Sequence, residues 1–128
     1  MLMITPLGIK SSYDSMFKIL ELNSVLNSKI ILDFPFNKEE EINNLYTWCD
    51  DYNIKLISIL VVCSDRKIWE SRFNQRSQDP KPNQLITNLD ELEKHYGDLN
   101  IVPLEGEIVV NTINSPEDIL KQLEVLKF

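Results

Sequence analysis

The sequence predicts an α/β fold: a mostly parallel sheet of about three strands with helices packed on it. Three observations predict it. Short apolar runs at 29–34, 55–63 and 107–111 alternate with longer amphipathic stretches. The central run, Leu56 to Cys63, is broken only by Ser58, as expected of a strand covered on both faces. The six prolines and three glycines fall mostly at the joints between these stretches.

In chain order, Ser11 or Ser12 is a helix cap. Tyr13, Phe17 and Leu20, with Ile19, Leu22 and Leu26, then recur at three- and four-residue steps until Asn27-Ser28. Lys29-Ile30-Ile31-Leu32-Asp33-Phe34, closed by Pro35, reads as a buried strand. Residues 38–52 set Ile42, Leu45, Tyr46 and Trp48 among acids, an amphipathic helix. After the central strand, Asp65 opens a helix with Ile68, Trp69 and Phe73 that runs to about Ser77. Pro80 and Pro82 exclude regular structure over 78–83. Thr87-Asn88 precedes a short helix that Gly97 ends. EIVVN, 107–111, is the third strand. Ser115-Pro116-Glu117-Asp118 supplies a cap, a proline at the first helical position and acids at the positive end of the dipole. The predicted order is α-β-α-β-α-α-β-α.

At 128 residues the chain has the length of one domain, 1–128, with a core that needs neither disulfide nor metal. The longest apolar run falls far short of the ~20 residues of a membrane span. MLMITPLGIK lacks the basic and long apolar regions of a signal peptide, so the cytoplasm is the expected compartment. Cys49, Cys63 and one histidine do not make a zinc site, which takes four such ligands. A net charge of −7 argues against nucleic acid as a partner.

Chemistry concentrates in one place. The chain's three arginines, Arg66, Arg72 and Arg76, lie together, flanked by Lys67 and Lys81. Arg72 and Arg76 are four apart and share a helix face, where their guanidinium groups suit phosphate or carboxylate oxygens. Their competing role is pairing with Asp65, Glu70, Asp79 or acids elsewhere. Asp33 stands at the C-terminal end of an apolar run, where α/β sheets place ligands; it either holds magnesium through water or a substrate hydroxyl, or caps the turn at Pro35. His95, near a helix end, favours the dipole. Trp48 and Trp69 fit core faces, and no Ser/His/Asp or Cys/His set forms a nucleophile.

Three segments carry a resemblance. SSYDSMFKILELNSVLNSKIILDFPF resembles the helix and third strand of P-loop kinase-like proteins, often labelled AAA-family ATPases and related to chloramphenicol phosphotransferases and zeta-toxin kinases. VVCSD followed by a Trp-x-x-Arg-x-x-x-Arg helix and a proline-containing lid resembles the next part. EIVVNTINSPEDILKQL resembles the closing strand and helix, with Asn111-Thr112 where the family has Asp-Thr. The resemblance covers about residues 10–126. It implies that Asp33 faces substrate or magnesium, that Arg72 and Arg76 are lid arginines on the transferring phosphoryl group, and that Asn111 and Thr112 pass near the nucleotide base. ATP and magnesium are the implied cofactors.

One part is missing. Gly8 is the only glycine before Gly97, so these residues contain no G-x-x-x-x-G-K-[ST] loop to cradle phosphates. The expectation is a truncated P-loop kinase fold, a gene fragment or half of a split protein, with little phosphotransfer alone. Its rivals are a non-catalytic anion- or protein-binding module and a complete kinase with an unrecognised phosphate site. In the family's strand order the absent strand lies between 29–34 and 55–63. Association is therefore expected, as a homodimer or with an N-terminal P-loop-bearing fragment. Two strands closing directly, or Met1–Leu7 as a substitute strand, are the other ways to fill that gap.

Overall fold

The structure, a computed structural model, describes residues 6–33, 39–79, 81 and 86–126. Five helices and two strands follow in the order α1 (Pro6–Ser24), α2 (Glu39–Asp51), β1 (Ile59–Val62), α3 (Arg66–Gln78), α4 (Leu89–Tyr96), β2 (Ile108–Asn111) and α5 (Pro116–Glu124). The chain forms two compact units, Met1–Leu56 and Ile57–Phe128. Mixed α/β architecture is as expected, but the described sheet has two strands, not three.

In the first unit, α1 begins at Pro6, well before the expected caps at Ser11 or Ser12. Proline suits the first turn of a helix, where its missing N–H has no partner to lose, and Ser11 and Ser12 fall inside the helix instead. Pro6-Leu7 is thus helical rather than a substitute strand; the remainder of that segment, Met1 to Thr5, lies outside the described residues. Met16 and Leu20 of α1 bury against Leu45 and Cys49 of α2, with Tyr13, Phe17, Leu32, Ile42, Trp48, Ile54 and Leu56 around them. Trp48 stacks on Tyr52 at 4.5 Å between ring centroids and tilts against Phe17 at 6.0 Å. Asn53, at φ 54°, ends α2 in the left-handed region, and the Ile54 N–H returns to the Cys49 carbonyl at 2.8 Å.

The expected strand at 29–34 is not one. Residues 28–33 carry no regular secondary structure and pair with no strand among the described residues, and Phe34 lies outside them. Leu32 reaches the core, whereas Ile31 is 96% exposed. Continuous apolar character predicted a buried segment, but of residues 28–33 Leu32 alone is even partly buried, and Ile30 is exposed like Ile31.

In the second unit, β1 and β2 run parallel, with Ile59 beside Ile108 and Val62 beside Asn111. α3 and α4 form the crossover that a parallel pair requires. β1 starts at Ile59, later than expected; just before it the Ser58 carbonyl accepts the Ile108 N–H at 3.0 Å and the Ser58 hydroxyl donates to Glu107 Oε1 at 2.9 Å. Asp65 and Ser115 open their helices as expected, and Asn88 proves to be a third cap. Asp65 accepts from the Lys67 and Ile68 amides, Asn88 from Glu91, and Ser115 from Asp118. Phe73, Leu89 and Val110 are the buried side chains of this unit. No helix among the described residues is long and apolar enough to cross a membrane.

Candidate functional site

The site sits where β1 and β2 end. A regular parallel ladder would continue past the bond from the Thr112 N–H to the Val62 carbonyl (2.8 Å) by joining the Ser64 N–H to the Thr112 carbonyl. Side chains intercept both groups. Arg72, reaching over from α3, donates from Nη2 to the Thr112 carbonyl at 2.7 Å and from Nη1 to the Thr112 hydroxyl at 2.8 Å. The Ser64 N–H instead meets Asn111 Oδ1 at 3.2 Å, and Asn111 Nδ2 donates to the Ser64 hydroxyl at 2.7 Å. Asn111 Oδ1 also receives the Ile113 N–H at 3.3 Å. The two strands therefore part in a small polar fork, with Arg72 in one arm and Asn111 in the other.

Arg72 is partly buried, and its contacts are neutral: the two groups of Thr112 and, at 3.8 Å, the Cys63 sulfur. No acid pairs with it among the described residues. Arg76, one turn on, is exposed; its guanidinium lies 5.6 Å from the Phe73 ring centroid, and it too has no acidic partner among those residues. Arg66 is the opposite case. It meets Glu70 at 3.3 Å, Glu93 at 3.4 Å and Asp90 at 3.7 Å, tying α3 to α4. Glu93 and then Glu70 hold its guanidinium proton more tightly than usual. Of the three clustered arginines, acids among the described residues neutralise one and pair with neither of the others.

Sequence reasoning named Arg72, Arg76, Asn111 and Thr112, and the second unit carries all four. Arg72, Asn111 and Thr112 meet at the strand ends, and Arg76 follows Arg72 on α3. Asp33 belongs to the first unit, where its carboxylate is exposed. Ser64 was missed as a contact residue. Its signal was its place between the apolar run and the Asp65 cap, where an unpaired N–H is bound to arise. Among the described residues no group of three or more His, Cys, Asp or Glu gathers to hold a metal ion.

Comparison with protein-family models, curated proteins and solved structures finds no match for this chain.

Proposed function

We propose that the second unit is the anion-binding half of a P-loop kinase-like fold whose intact members transfer a phosphoryl group from ATP. One observation carries this reading: in a chain of net charge −7, Arg72 stands partly buried at the C-terminal ends of two parallel strands with only neutral partners. Such strand ends are where open α/β sheets bind ligands. A guanidinium already bonded to neutral acceptors keeps its charge for an anion, and the fork geometry of Arg matches phosphate oxygens. Arg76 on the same helix supplies a second charge. These residues fit a phosphate group; among the described residues no acids gather beside them to hold magnesium. The two-stranded sheet is then part of a larger three-layer arrangement. The two free thiols suit a cytoplasmic setting.

Without a glycine-rich loop, Mg-ATP binds weakly or not at all to the chain alone, because the arginines reach only the rim of the phosphates. Isothermal titration tests this with pyrophosphate and Mg-ATP. Pyrophosphate is expected to bind, and Arg76→Gln to weaken it by roughly 10- to 100-fold, the loss of one charged hydrogen bond. Absence of pyrophosphate binding, or binding indifferent to Arg76→Gln, removes the anion site. A micromolar constant for Mg-ATP would instead mean that the chain carries a complete phosphate site.

A second reading, a non-catalytic binding module, is favoured by the two-pronged bond from Arg72 to Thr112, which occupies one edge of the guanidinium. Co-expression with a P-loop-bearing polypeptide separates the two. Recovered ATP binding supports the kinase-like half, and anion binding that never leads to ATP binding supports the module.

A further inference from the structure

The two outer edges of the β1–β2 sheet are not alike. The Ile108 N–H bonds the Ser58 carbonyl and the Thr112 N–H bonds the Val62 carbonyl, so the even-numbered residues of both strands face each other. Ile59 and Val61 therefore turn their N–H and C=O groups to the outer edge of β1, and Val109 turns its own to the outer edge of β2. The β2 edge is closed at its centre: Gln122 of α5 donates from Nε2 to the Val109 carbonyl at 2.9 Å. Nothing among the described residues bonds the main-chain groups of Ile59 and Val61 on the β1 edge. The side chains of the same two residues are the exposed ones of the strand, Val61 at 62% and Ile59 at 36%. β1, Ile-Leu-Val-Val, has no charge, no proline and no bulge to blunt it.

We propose that the β1 edge is a self-association surface, and that its occupant is β1 of a second copy of this chain, running antiparallel about a two-fold axis. With Leu60 opposite Leu60 on that axis, Ile59 faces Val61 of the other copy twice over. Each of these two pairs exchanges both of its main-chain hydrogen bonds, four in all. Ile59 and Val61 lie on one face of the sheet, so each exposed side chain gains an apolar neighbour across the new junction. The edge is self-complementary, which is what a two-fold interface demands. The Gln122 cap opposes further growth, since the dimer's four-stranded sheet ends on two β2 edges whose central carbonyl, that of Val109, is already bonded. The interface is small and the dimer correspondingly weak.

Sedimentation of the full chain up to about 1 mM, the range of weak complexes, reads the oligomer directly. Monomer and dimer in exchange are expected, and Val61→Lys is expected to raise the dissociation constant by about tenfold or more through loss of both cross-strand pairs. Gln122→Ala, which uncaps β2, is expected to convert a terminating dimer into species larger than dimer. Hydrogen exchange on the unaltered chain supplies a readout that needs no variant. The Ile59 and Val61 amides become protected as concentration rises, while the Val109 amide does not. A chain that stays monomeric throughout overturns the proposal. So does a dimer untouched by Val61→Lys, or one that forms while the Ile59 and Val61 amides stay open; either points to another face, such as the exposed Ile19 and Leu22 of α1.

Discussion

Arg72 ties helix α3 to the residue that follows strand β2, and no acid among the described residues compensates its charge. Its two bonds to Thr112 are charge-assisted and partly shielded from water, so replacing it by Met should lower the stability of the second unit by about 2–4 kcal/mol. Thr112→Val keeps the carbonyl acceptor and loses only the hydroxyl, so a smaller cost of about 1 kcal/mol is expected. Urea unfolding of both variants checks the ranking; equal costs would mean that the carbonyl bond carries nothing. In the first unit, burial and then the hydrogen bond and charge of Glu41 raise the Tyr13 phenol above its ordinary pKa. The native state therefore keeps a proton that the unfolded chain gives up near pH 10, about the unperturbed value. That contribution is fully present below this pH and is lost as pH rises beyond it. Between about pH 8 and pH 11 the unaltered chain should lose more stability than Tyr13→Phe. Parallel losses would show that the phenol's surroundings do not favour its neutral form.

At the scale of elements, most of what was legible in the sequence was local. Asp65 and Ser115 could be read as helix openers because a short oxygen-bearing side chain before a helix has one near-obligatory use: the N–H groups it faces have no other acceptor. Gly97 could be read as a stop for the same kind of reason; its φ of 83° is strained for any residue with a Cβ. The strand predicted at 29–34 failed because pairing is not local. Ile30 and Ile31 have strand propensity, but a strand exists only where another chain segment offers its edge. Arg72 and Arg76 were legible as a shared face, since four-residue spacing fixes that. That Arg66 alone would be neutralised was not legible, because Asp90 and Glu93 lie more than twenty residues away in sequence. Among the caps, Asp65 matters most to the site, since it accepts two amides at 2.8 and 3.2 Å at the start of the helix that aims Arg72. Asp65→Ala should cost about 1 kcal/mol and weaken anion binding with it. A variant that lost stability while holding pyrophosphate as before would separate the cap from the site.

The whole molecule sets the conditions under which either surface works. A net charge of −7 on 128 residues repels anions and repels other copies of itself, whatever its local chemistry. The proposed β1 edge, Ile59 to Val62, carries no charge, so no ion pair across that edge offsets the repulsion between two copies. Salt should therefore tighten self-association. Raising ionic strength from about 0.01 to about 0.15 M shortens the screening length from ~30 to ~8 Å, below the dimensions of the chain. The dissociation constant is expected to fall severalfold over that range, and to fall again as pH is lowered toward the pI of about 4.7. Pyrophosphate binding should respond in the opposite sense to salt, because its attraction to Arg72 and Arg76 is itself electrostatic and the near contacts outweigh the distant field. Sedimentation and titration on one preparation at two salt concentrations read both slopes. Self-association that weakens with salt would mean that ion pairs hold the copies together, a result incompatible with an interface made from an uncharged strand edge.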